Sequence, residues 1–459
     1  MIFSQPRFLS LSLGFSLLTV SGHALADTWP QWLGPNHDGV WRESGIVNKF
    51  PTNGPPVRWK VPVNKGYCGP AVVGDRLYMM DRLPGAPYVR KPGDKTIPAA
   101  AGNERVLCLN AATGEKVWEY TYDCPYRIGY PAGPRATPVV AGGRVFTLGA
   151  MGDLLCLDEK EGKVIWEHHL LKDYELADPP TWGYAAAPLL EGQKLVCMVG
   201  GTNTAVVAFD KDTGKELWRA LTTYEIGYAP PSIQEIAGKR QLLIWHPEAL
   251  VGLELETGKT LWTQKYPAAG KPQRPEVTIA TPRVQDSRIF VSSFYHGSLL
   301  VEVTNTPFGA QVAWDRHSTN ESHFESGIHT VMCTPIWKGG YIYGVCGKGE
   351  LRCLDALTGD RVWESDAAMG GKLGYFGNAF LVEHEDSVFI WNDQGELILG
   401  KLSPKGFEEI SKAKLLETIE NTRGREVQWC HPAFANRCAY VHNGKELICV
   451  SLEAAGKAL

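Results

Sequence analysis

Apolar and polar residues alternate in short runs along most of the chain, and one pattern recurs about every 50 residues. Each copy holds an alternating apolar run, usually an Asp or Asn, a Gly turn, and a second run of β-forming residues that ends in Trp. Alternation has the period of a strand and Gly supplies the positive φ of a tight hairpin, so each copy predicts two antiparallel strands. The copies end at Trp118, Trp166, Trp218, Trp262, Trp363 and, in a degenerate form, Trp314.

A second hairpin pattern precedes every copy, for example in residues 70–81 and 137–150. Each unit therefore has four strands, and a repeated four-stranded unit is typical of one blade of a β-propeller. Eight units are predicted, with the seventh placing Ile410 where Trp is expected. They begin at Pro70, Pro138, Pro188, Pro231, Pro282, Pro335, Asn378 and Pro432.

The two ends of the repeated region complement each other. The eighth unit stops after its third strand, whereas residues 56–62 form one additional strand pattern around Trp59 before the first unit. A closed ring removes unpaired sheet edges, so the N-terminal strand is expected to complete the last blade. The predicted fold class is all-β, an eight-bladed β-propeller of four-stranded antiparallel blades closed by that strand.

The first 26 residues have the pattern of a secretion signal. Arg7 precedes an apolar run over residues 9–20, and Ala24 and Ala26 lie just before Asp27. The expected organisation is a signal peptide at 1–26, a leader segment at 27–56 and the propeller at 57–459. No later apolar stretch is long enough to span a bilayer, so the sequence predicts an exported protein, periplasmic or secreted, without a transmembrane segment.

The composition and the cysteine positions limit which partners and which disulfide bonds we expect. The chain has 459 residues, 44% of them hydrophobic, and a net charge of −4 with both signs dispersed, which favours a large core and does not favour nucleic-acid binding. Four of the eleven cysteines occupy the third-strand slot that Ala208 fills, and we expect small core residues there: Cys108, Cys156, Cys353 and Cys449. A Cys68–Cys430 disulfide between adjacent units stays open.

The predicted loops differ in length on the two faces of the propeller. Turns within hairpins on one face are short, whereas the second-to-third strand loops and the blade-to-blade crossings on the other face are long and varied. Binding residues are commonly carried on such loops, so that face is the candidate site. Its candidate residues are the Gly-Tyr tyrosines Tyr67, Tyr130, Tyr184, Tyr228 and Tyr375, with Arg135, Trp182, His246, Glu248, His296 and His329.

Two of these features have alternative interpretations. Gly-Tyr either shapes the crossing and packs on the neighbouring blade, which we favour, or rings the channel mouth as a stacking surface. His317, His323 and His329 with Glu321 and Glu325 form the densest His and carboxylate cluster. Imidazole and carboxylate suit several metals. The spacing matches no known motif, so a polar loop is favoured and no metal site is predicted.

Two stretches carry a family resemblance. Residues 208–218 resemble the tryptophan-docking motif of quinoprotein-type propellers, Ala-x-Asp-x-x-Thr-Gly-x-x-x-Trp, and residues 29–39 resemble the leader of exported bacterial PQQ-binding-like propeller repeat proteins. The resemblance covers nearly all of the chain after residue 26. It implies that seven tryptophans pack between neighbouring blades: Trp59, Trp118, Trp166, Trp218, Trp262, Trp314 and Trp363.

The resemblance implies two classes of function. The superfamily includes the non-catalytic propeller of the outer-membrane β-barrel assembly machine, which favours a non-catalytic scaffold that binds a protein, peptide or glycan through the long-loop face. The alternative is a quinone-dependent dehydrogenase acting on alcohols or sugars, with PQQ and calcium at the channel mouth. Such dehydrogenases often carry a disulfide between adjacent cysteines, and no two cysteines are adjacent here. We therefore assign no cofactor and favour a protein that is not an enzyme; hydrolytic or lyase chemistry stays a minor alternative.

Overall fold

Four-stranded antiparallel sheets follow one another around a central axis. The computed structural model describes residues 28–455 except 87–98, 269, 272–274, 319, 321–322 and 423. Across these residues, eight four-stranded sheets form the blades and one two-stranded hairpin stands apart. The innermost strand of the first blade packs against those of the second and the eighth, so the ring is closed. The predicted eight-bladed propeller is confirmed.

The strand bounds follow the blades in chain order. Blade 1 has β2 (Ala71–Val73), β3 (Arg76–Pro84), β4 (Gly102–Asn110) and β5 (Lys116–Asp123). Blade 2 has β6 (Val139–Ala141), β7 (Arg144–Leu148), β8 (Asp153–Asp158) and β9 (Val164–His169). Blade 3 has β10 (Leu189–Glu191), β11 (Lys194–Met198), β12 (Val206–Asp210) and β13 (Glu216–Ala220). Blade 4 has β14 (Ser232–Ile236), β15 (Lys239–His246), β16 (Ala249–Leu253) and β17 (Thr260–Lys265).

The second half of the ring continues the same order. Blade 5 has β18 (Arg283–Gln285), β19 (Arg288–Ser293), β20 (Gly297–Asn305) and β21 (Phe308–Arg316). Blade 6 has β22 (Ile336–Lys338), β23 (Tyr341–Val345), β24 (Leu351–Asp355) and β25 (Arg361–Ser365). Blade 7 has β26 (Ala379–His384), β27 (Ser387–Asn392), β28 (Glu396–Ser403) and β29 (Gly406–Lys414). Blade 8 has β32 (Ala433–Ala435), β33 (Cys438–His442), β34 (Glu446–Ser451) and the N-terminal β1 (Val57–Pro62).

Three small elements lie between the blades. They are the helix α1 (Leu170–Asp173), a 3-10 turn (Ala367–Met369) and the hairpin β30 (Glu420–Thr422) with β31 (Arg425–Val427). Over the described residues, no helix has the length and apolar character to cross a bilayer.

The closing strand pairs as predicted. Trp59 of β1 lies opposite Cys449 of β34 in an antiparallel ladder that runs to Pro62 and Glu446. The same pairing of Trp with a small residue recurs in other blades, for example Ala208 with Trp218. The partner is Cys, Ala or Gly in six of the seven Trp pairs, and it is Leu300 opposite Trp314 in the degenerate fifth copy.

Most of the repeat tryptophans join one blade to the next. The indole Nε1 donates to a carbonyl in the following blade's outer turn for Trp59, Trp118, Trp166, Trp218, Trp314 and Trp363, at 2.9 to 3.1 Å. Trp262 is the exception, since it donates to Gln241 of its own blade at 2.6 Å. The turn it would face belongs to the degenerate fifth copy, around Pro307.

The seventh blade corrects the placement of Ile410. A bulge there pairs Leu399 with Ser411 and Gly400 with Glu409, so Ile410 has no partner and Ser411 takes the position of the missing Trp. The Ser411 hydroxyl accepts a hydrogen bond from Phe50 N at 3.0 Å. The Phe50 ring stacks on Phe389 of the same blade at 6.4 Å, so the leader supplies an aromatic side chain from outside the repeat.

The leader closes one end of the channel, a role that its sequence does not reveal. Trp29 exchanges two backbone hydrogen bonds with Val72 of blade 1, and Pro30 O accepts from Val140 N of blade 2. Further along the leader, Asp38 O accepts from Arg283 of blade 5, across the axis from blade 1, and Trp41 N donates to Glu383 O of blade 7. Because these contacts lie on the innermost strands of well-separated blades, the leader crosses the axis and blocks the channel on the short-turn face.

The glycine of a docking turn has two independent constraints. Gly162 has a φ of +69°, and a Cβ there would lie 2.4 Å from the ring of Trp118. Gly142, in another turn of the same blade, has a φ of +59° and nothing within 4 Å of a Cβ. The comparison separates backbone strain from the indole contact.

We expect Gly162→Ala to lower the free energy of unfolding by about 3 kcal/mol, because overpacking against Trp118 adds to left-handed strain. Gly142→Ala carries the strain alone and is expected to lower it by about 1 kcal/mol. Urea denaturation of the two variants measures the difference. Equal losses would show that the indole contact contributes nothing.

Candidate functional site

A cavity of about 170 Å³ lies on the propeller axis at the face of the long loops. All eight crossings between blades contribute to its wall, and we call it the axial cup. Its described lining residues are Trp32, Tyr67, Tyr130, Arg135, Trp182, Ala185, Tyr228, Pro230, Val277, Ile279, Tyr295, Val331, Met332, Phe376, Phe380, Trp429 and His431. Nine of these are Phe, Tyr or Trp, so the cup is an aromatic site at the centre of a ring-shaped scaffold.

The leader forms the floor of the cup. Trp32 donates from Nε1 to the Thr281 hydroxyl of the fourth crossing at 2.9 Å, and its ring lies 4.4 Å from that of His431. Phe380 lies 4.8 Å from the same imidazole. The plug that closes the channel thus also provides a surface for anything that enters the cup from the long-loop face.

Aromatic residues line the wall from the sixth crossing around to the third. Trp182 and Tyr228 of neighbouring crossings have ring centroids 5.2 Å apart. Trp429 lies 5.8 Å from Tyr130 and 6.4 Å from Tyr67. Val277, Ile279, Val331 and Met332 line the remaining arc together with Tyr295 of blade 5. The cup therefore has an aromatic side and a mainly aliphatic side.

The hairpin β30–β31 holds Trp429 in position. Arg425 donates to the Asp393 carboxylate at 2.9 Å and to the Tyr375 carbonyl at 3.0 Å, and Gln428 N donates to Asp393 O at 2.7 Å. Burial raises the pKa of Asp393 to about 6, against the opposing effect of Arg425. This buried pair ties the last crossing to blade 7 just before Trp429.

Arg135 is the charged side chain of the cup. Its guanidinium donates to the carbonyls of Gly133 at 2.9 Å, Gly129 at 3.1 Å and Tyr130 at 2.5 Å, and lies over the ring of Tyr67. Burial lowers its pKa. The cation braces its own crossing, because three backbone carbonyls converge on it.

The imidazole in the floor is neutral in the folded protein. Burial lowers the pKa of His431 to about 3, since water is excluded between Trp32 and Phe380. Near neutral pH the described lining of the cup therefore carries one positive charge and no carboxylate.

Comparisons with known proteins place this architecture in a family. The family described as outer membrane protein assembly factor BamB matches residues 102–365. The chain belongs to the BamB propeller family. A BamB from Shewanella oneidensis is 23% identical over 265 residues, covering 56% of this chain and 63% of that protein.

Other similar proteins include an enzyme. A polyvinylalcohol dehydrogenase from Sphingopyxis is 30% identical over 309 residues, covering 53% of this chain and 46% of that protein. The crystal structure of BamB from Moraxella catarrhalis matches with a TM-score of 0.56 and 16% identity, covering 86% of this chain and 99% of that one. The chain thus spans about half to three-fifths of the length of these curated relatives, and the structural likeness shows the fold.

The structure separates the predicted tyrosines into two groups. Tyr67, Tyr130 and Tyr228 line the cup together with Arg135 and Trp182. In this member of the BamB family, Gly-Tyr therefore supplies part of a convergent aromatic surface.

The other two tyrosines have different positions. Tyr184 is buried and donates its hydroxyl to Val199 O at 2.8 Å, which fits the packing interpretation. Tyr375 stands beside Phe376, and it is Phe376 that lines the cup.

His246 and Glu248 lie at the second-to-third strand turn of blade 4 and outside the cup. Burial lowers the pKa of His246 to about 4, and its Nδ1 accepts from Glu248 N at 3.3 Å. The Glu248 carboxylate accepts from the Thr223 hydroxyl at 3.0 Å and from Tyr224 N at 3.1 Å. This pair organises the crossing between blades 3 and 4.

His296 and His329 both lie beside Gly297 and outside the lining of the cup. His296 lies 3.2 Å from the buried carboxylate of Glu276 and lines a second cavity of about 340 Å³ with His317. His329 is fully buried, with Nδ1 on Phe294 O at 2.8 Å and Nε2 accepting from Ser318 N at 3.1 Å. Their roles in the structure are to hold loops of blade 5.

The His and carboxylate cluster does not converge on a point. His317 bonds to Asp315 at 2.9 Å, His323 is exposed and His329 is buried. Glu321 lies outside the described residues. The arrangement fits a polar loop.

Among the described residues, one group of possible metal ligands does converge, formed by Glu104, Cys124 and Asp153. The Glu104 carboxylate already accepts the phenols of Tyr122 and Tyr126 and, at 2.9 Å, Ala150 N. None of the three lines the cup, although Glu104 interacts electrostatically with Arg135, and the group joins blades 1 and 2.

The cup does not fit the quinone that the alternative function requires. PQQ carries carboxylates and is held with calcium in the dehydrogenases, and calcium takes oxygen ligands, mostly carboxylates. The described lining offers Arg135 alone as a charged partner, with its N–H groups on backbone carbonyls, and no carboxylate. All eleven cysteines, each within the described residues, are buried free thiols, including Cys68 and Cys430.

Sequence reasoning missed much of the cup. Trp32, Phe376, Phe380, Trp429 and His431 were not predicted, since they lie in the leader or next to repeat starts in the two weakest units. A usable signal was present: Trp429 stands three residues before the predicted start at Pro432, the same offset that Tyr67 and Tyr228 have from Pro70 and Pro231. The leader's contribution had no local signal.

Proposed function

We propose that this chain is an exported, non-catalytic propeller that docks a protein or peptide partner on its long-loop face, with the axial cup at the centre of contact. The observation that carries the proposal is the convergence of nine aromatic side chains onto the axis, six of them from the crossings between blades. Aromatic and Arg side chains contribute most of the binding free energy at protein interfaces. We also propose that residues 1–26 are a secretion signal, that residues 27–56 are the leader and that residues 57–459 form the propeller.

The cup is built before a partner arrives. Arg135, the Arg425–Asp393 pair and the Trp32–Thr281 bond each brace a different part of its wall. Little side-chain order has to be acquired on binding, and a preformed surface of this kind gains affinity because less conformational entropy is lost.

The lining favours a polypeptide over a glycan. Its hydrogen-bonding groups are few and several are already engaged, as with the Tyr228 hydroxyl, which accepts from Trp182 N and donates to Glu225. A sugar needs several directional hydrogen bonds, whereas aromatic and aliphatic side chains of a peptide need apolar area. A BamB relative is named an outer membrane protein assembly factor, which agrees with a protein partner.

Site-directed photo-cross-linking tests the docking face. p-Benzoylphenylalanine at Tyr130, which is 39% exposed at the cup rim, is expected to give a discrete adduct with one polypeptide in the producing cells. The matched control places it at Val362, which is 44% exposed on the outer strand of blade 6. The Trp182→Ala background should reduce the adduct at 130. Equal yields at 130 and 362, or no adduct at 130, would contradict docking on this face.

A dehydrogenase is the second candidate, because a relative at 30% identity is one. Calorimetric titration of the purified protein with PQQ, with and without calcium, distinguishes the two. We expect no saturable heat. Stoichiometric binding together with dye-linked oxidation of an alcohol would show that the protein is a dehydrogenase and would contradict the scaffold function.

A further inference from the structure

We propose that the axial cup takes one uncharged aromatic ring, the Trp or Phe side chain of a partner polypeptide, as the anchor of the docked segment. This inference rests on the proposed function and specifies what enters the site. Three properties of the cup carry it: its size, the chemistry of its wall and its charge.

The size of the cup suits one ring system. Its volume is about 170 Å³. An engineered cavity of about 150 Å³ in another protein, lined by Leu, Ile and Phe, binds benzene. The cup therefore has room for a single phenyl or indole group and not for a second large side chain beside it.

The wall offers an aromatic ring the contacts that it prefers. The neighbouring wall rings Trp182 and Tyr228 are tilted by 38°, and Tyr130 and Trp429 meet edge to face at 61°. Both ring faces and ring edges are therefore presented around the cup, and an entering ring can form offset or edge-to-face contacts with them. On the aliphatic side, the flexible thioether of Met332 can adjust to a phenyl or an indole.

The charge of the cup selects against ions. Arg135 repels cations, so the cup is not expected to bind an ammonium group as aromatic cages in other proteins do. Three of the five N–H groups of Arg135 donate to the carbonyls of Gly129, Tyr130 and Gly133, and the guanidinium lies over the ring of Tyr67, so only a small part of it is left for an anion. His431 in the floor is neutral. An uncharged ring is the occupant that leaves these interactions intact.

Fluorine NMR with 5-fluoroindole, supported by calorimetry with N-acetyl-L-tryptophanamide, tests the inference on the purified protein. We expect saturable binding of one equivalent of each probe. Tryptamine and indole-3-acetate, which add a positive and a negative charge to the same ring, are expected to bind at least about tenfold more weakly.

A pair of matched variants locates the bound ring. Ala185→Leu adds three carbons to the wall of the cup and is expected to weaken 5-fluoroindole binding at least about tenfold. Ala112→Leu makes the same change at an exposed turn of blade 1 and is expected to leave it unchanged. Thermal unfolding checks that both variants are folded; Val331→Phe replaces Ala185→Leu if the latter is not.

The outcomes separate this inference from the function on which it rests. No saturable binding by the wild-type protein, or undiminished binding by the cup-filling variant, would overturn the ring site, even where cross-links at 130 show that the face docks a partner. Equal affinity for tryptamine or indole-3-acetate would overturn the selection for an uncharged ring.

Discussion

Replacing Trp41 by alanine is expected to lower the free energy of unfolding by about 4 kcal/mol. The side chain is 1% exposed, and its ring packs on His384 at 5.2 Å, Phe389 at 5.5 Å and Phe434 at 5.2 Å. The cavity left behind lies between the leader and two blades of a closed ring, which cannot collapse to fill it. Urea denaturation with a two-state fit measures the loss.

The control is Leu357→Ala, which truncates a side chain that is 67% exposed in the outer turn of blade 6. The Leu357→Ala substitution is expected to change the free energy of unfolding by less than about 0.5 kcal/mol. If Trp41→Ala also lost less than about 1 kcal/mol, the leader would be a loosely attached segment and not part of the propeller core. The floor of the axial cup would then lack a rigid support.

Acidification is expected to destabilise the protein strongly between pH 6.5 and 3, through histidines that are buried in the neutral form. Burial lowers the pKa of His329 to about 4 and that of His431 to about 3. The folded protein binds fewer protons than the unfolded chain, so this stability is complete above the unfolded value of 6.5 and is lost as pH falls through the folded values. At about 1.4 kcal/mol per pH unit, the losses reach about 3 kcal/mol and about 5 kcal/mol respectively.

The geometry of His329 explains why it resists protonation. Its Nε2 accepts from Ser318 N, so a proton there breaks that bond and adds a positive charge near Arg352. The Asp393 carboxyl, with its pKa raised to about 6, acts in the opposite direction, because the folded state favours its protonated form as pH falls. Matched variants are therefore needed to isolate the imidazoles.

His329→Asn is uncharged at every pH and retains one donor and one acceptor. Its stability deficit relative to the wild type is expected to shrink by about 3 kcal/mol from pH 7 to pH 4. His323→Asn changes an exposed imidazole and should show no such trend. A constant deficit for His329→Asn across this range, measured by chemical denaturation at each pH, would contradict a neutral buried His329.

The ring of blades was predictable because its signals are local and repeated. All eight blades begin one residue after the predicted starts, from Ala71 to Ala433, and Trp59 completes the last blade as expected. Alternation, Gly turns and Trp at fixed spacing can all be recognised within about ten residues. Several copies of the same pattern support the same four-stranded unit. Where repetition weakens, the prediction weakens too: Ile410 was placed one residue away from Ser411, because the tight turn that pairs Ser403 with Gly406 puts the Trp position five residues after the Gly instead of four.

The candidate site was predictable only as a face. Tyr67, Tyr130, Arg135, Trp182 and Tyr228 do meet in the cup, since equivalent crossings of a closed ring converge on its axis. His246, Glu248 and His329 stand on loops of the same face, yet they bond to neighbouring loop groups, and His296 lines the second cavity. The local sequence pattern predicts that a residue lies on a loop. Packing against the neighbouring blade decides where its side chain points.

The sequence by itself determined the fold class, the number of blades and the mode of closure. Only the tertiary structure decided that the leader crosses the axis, that Trp32 forms the floor of the cup and that Arg135 is engaged by backbone carbonyls. The reason is the separation along the chain between the residues that interact. Strands and turns follow from interactions between residues close in the chain, but the cup is made by residues up to about 400 positions apart, and their proximity exists only after the ring has closed.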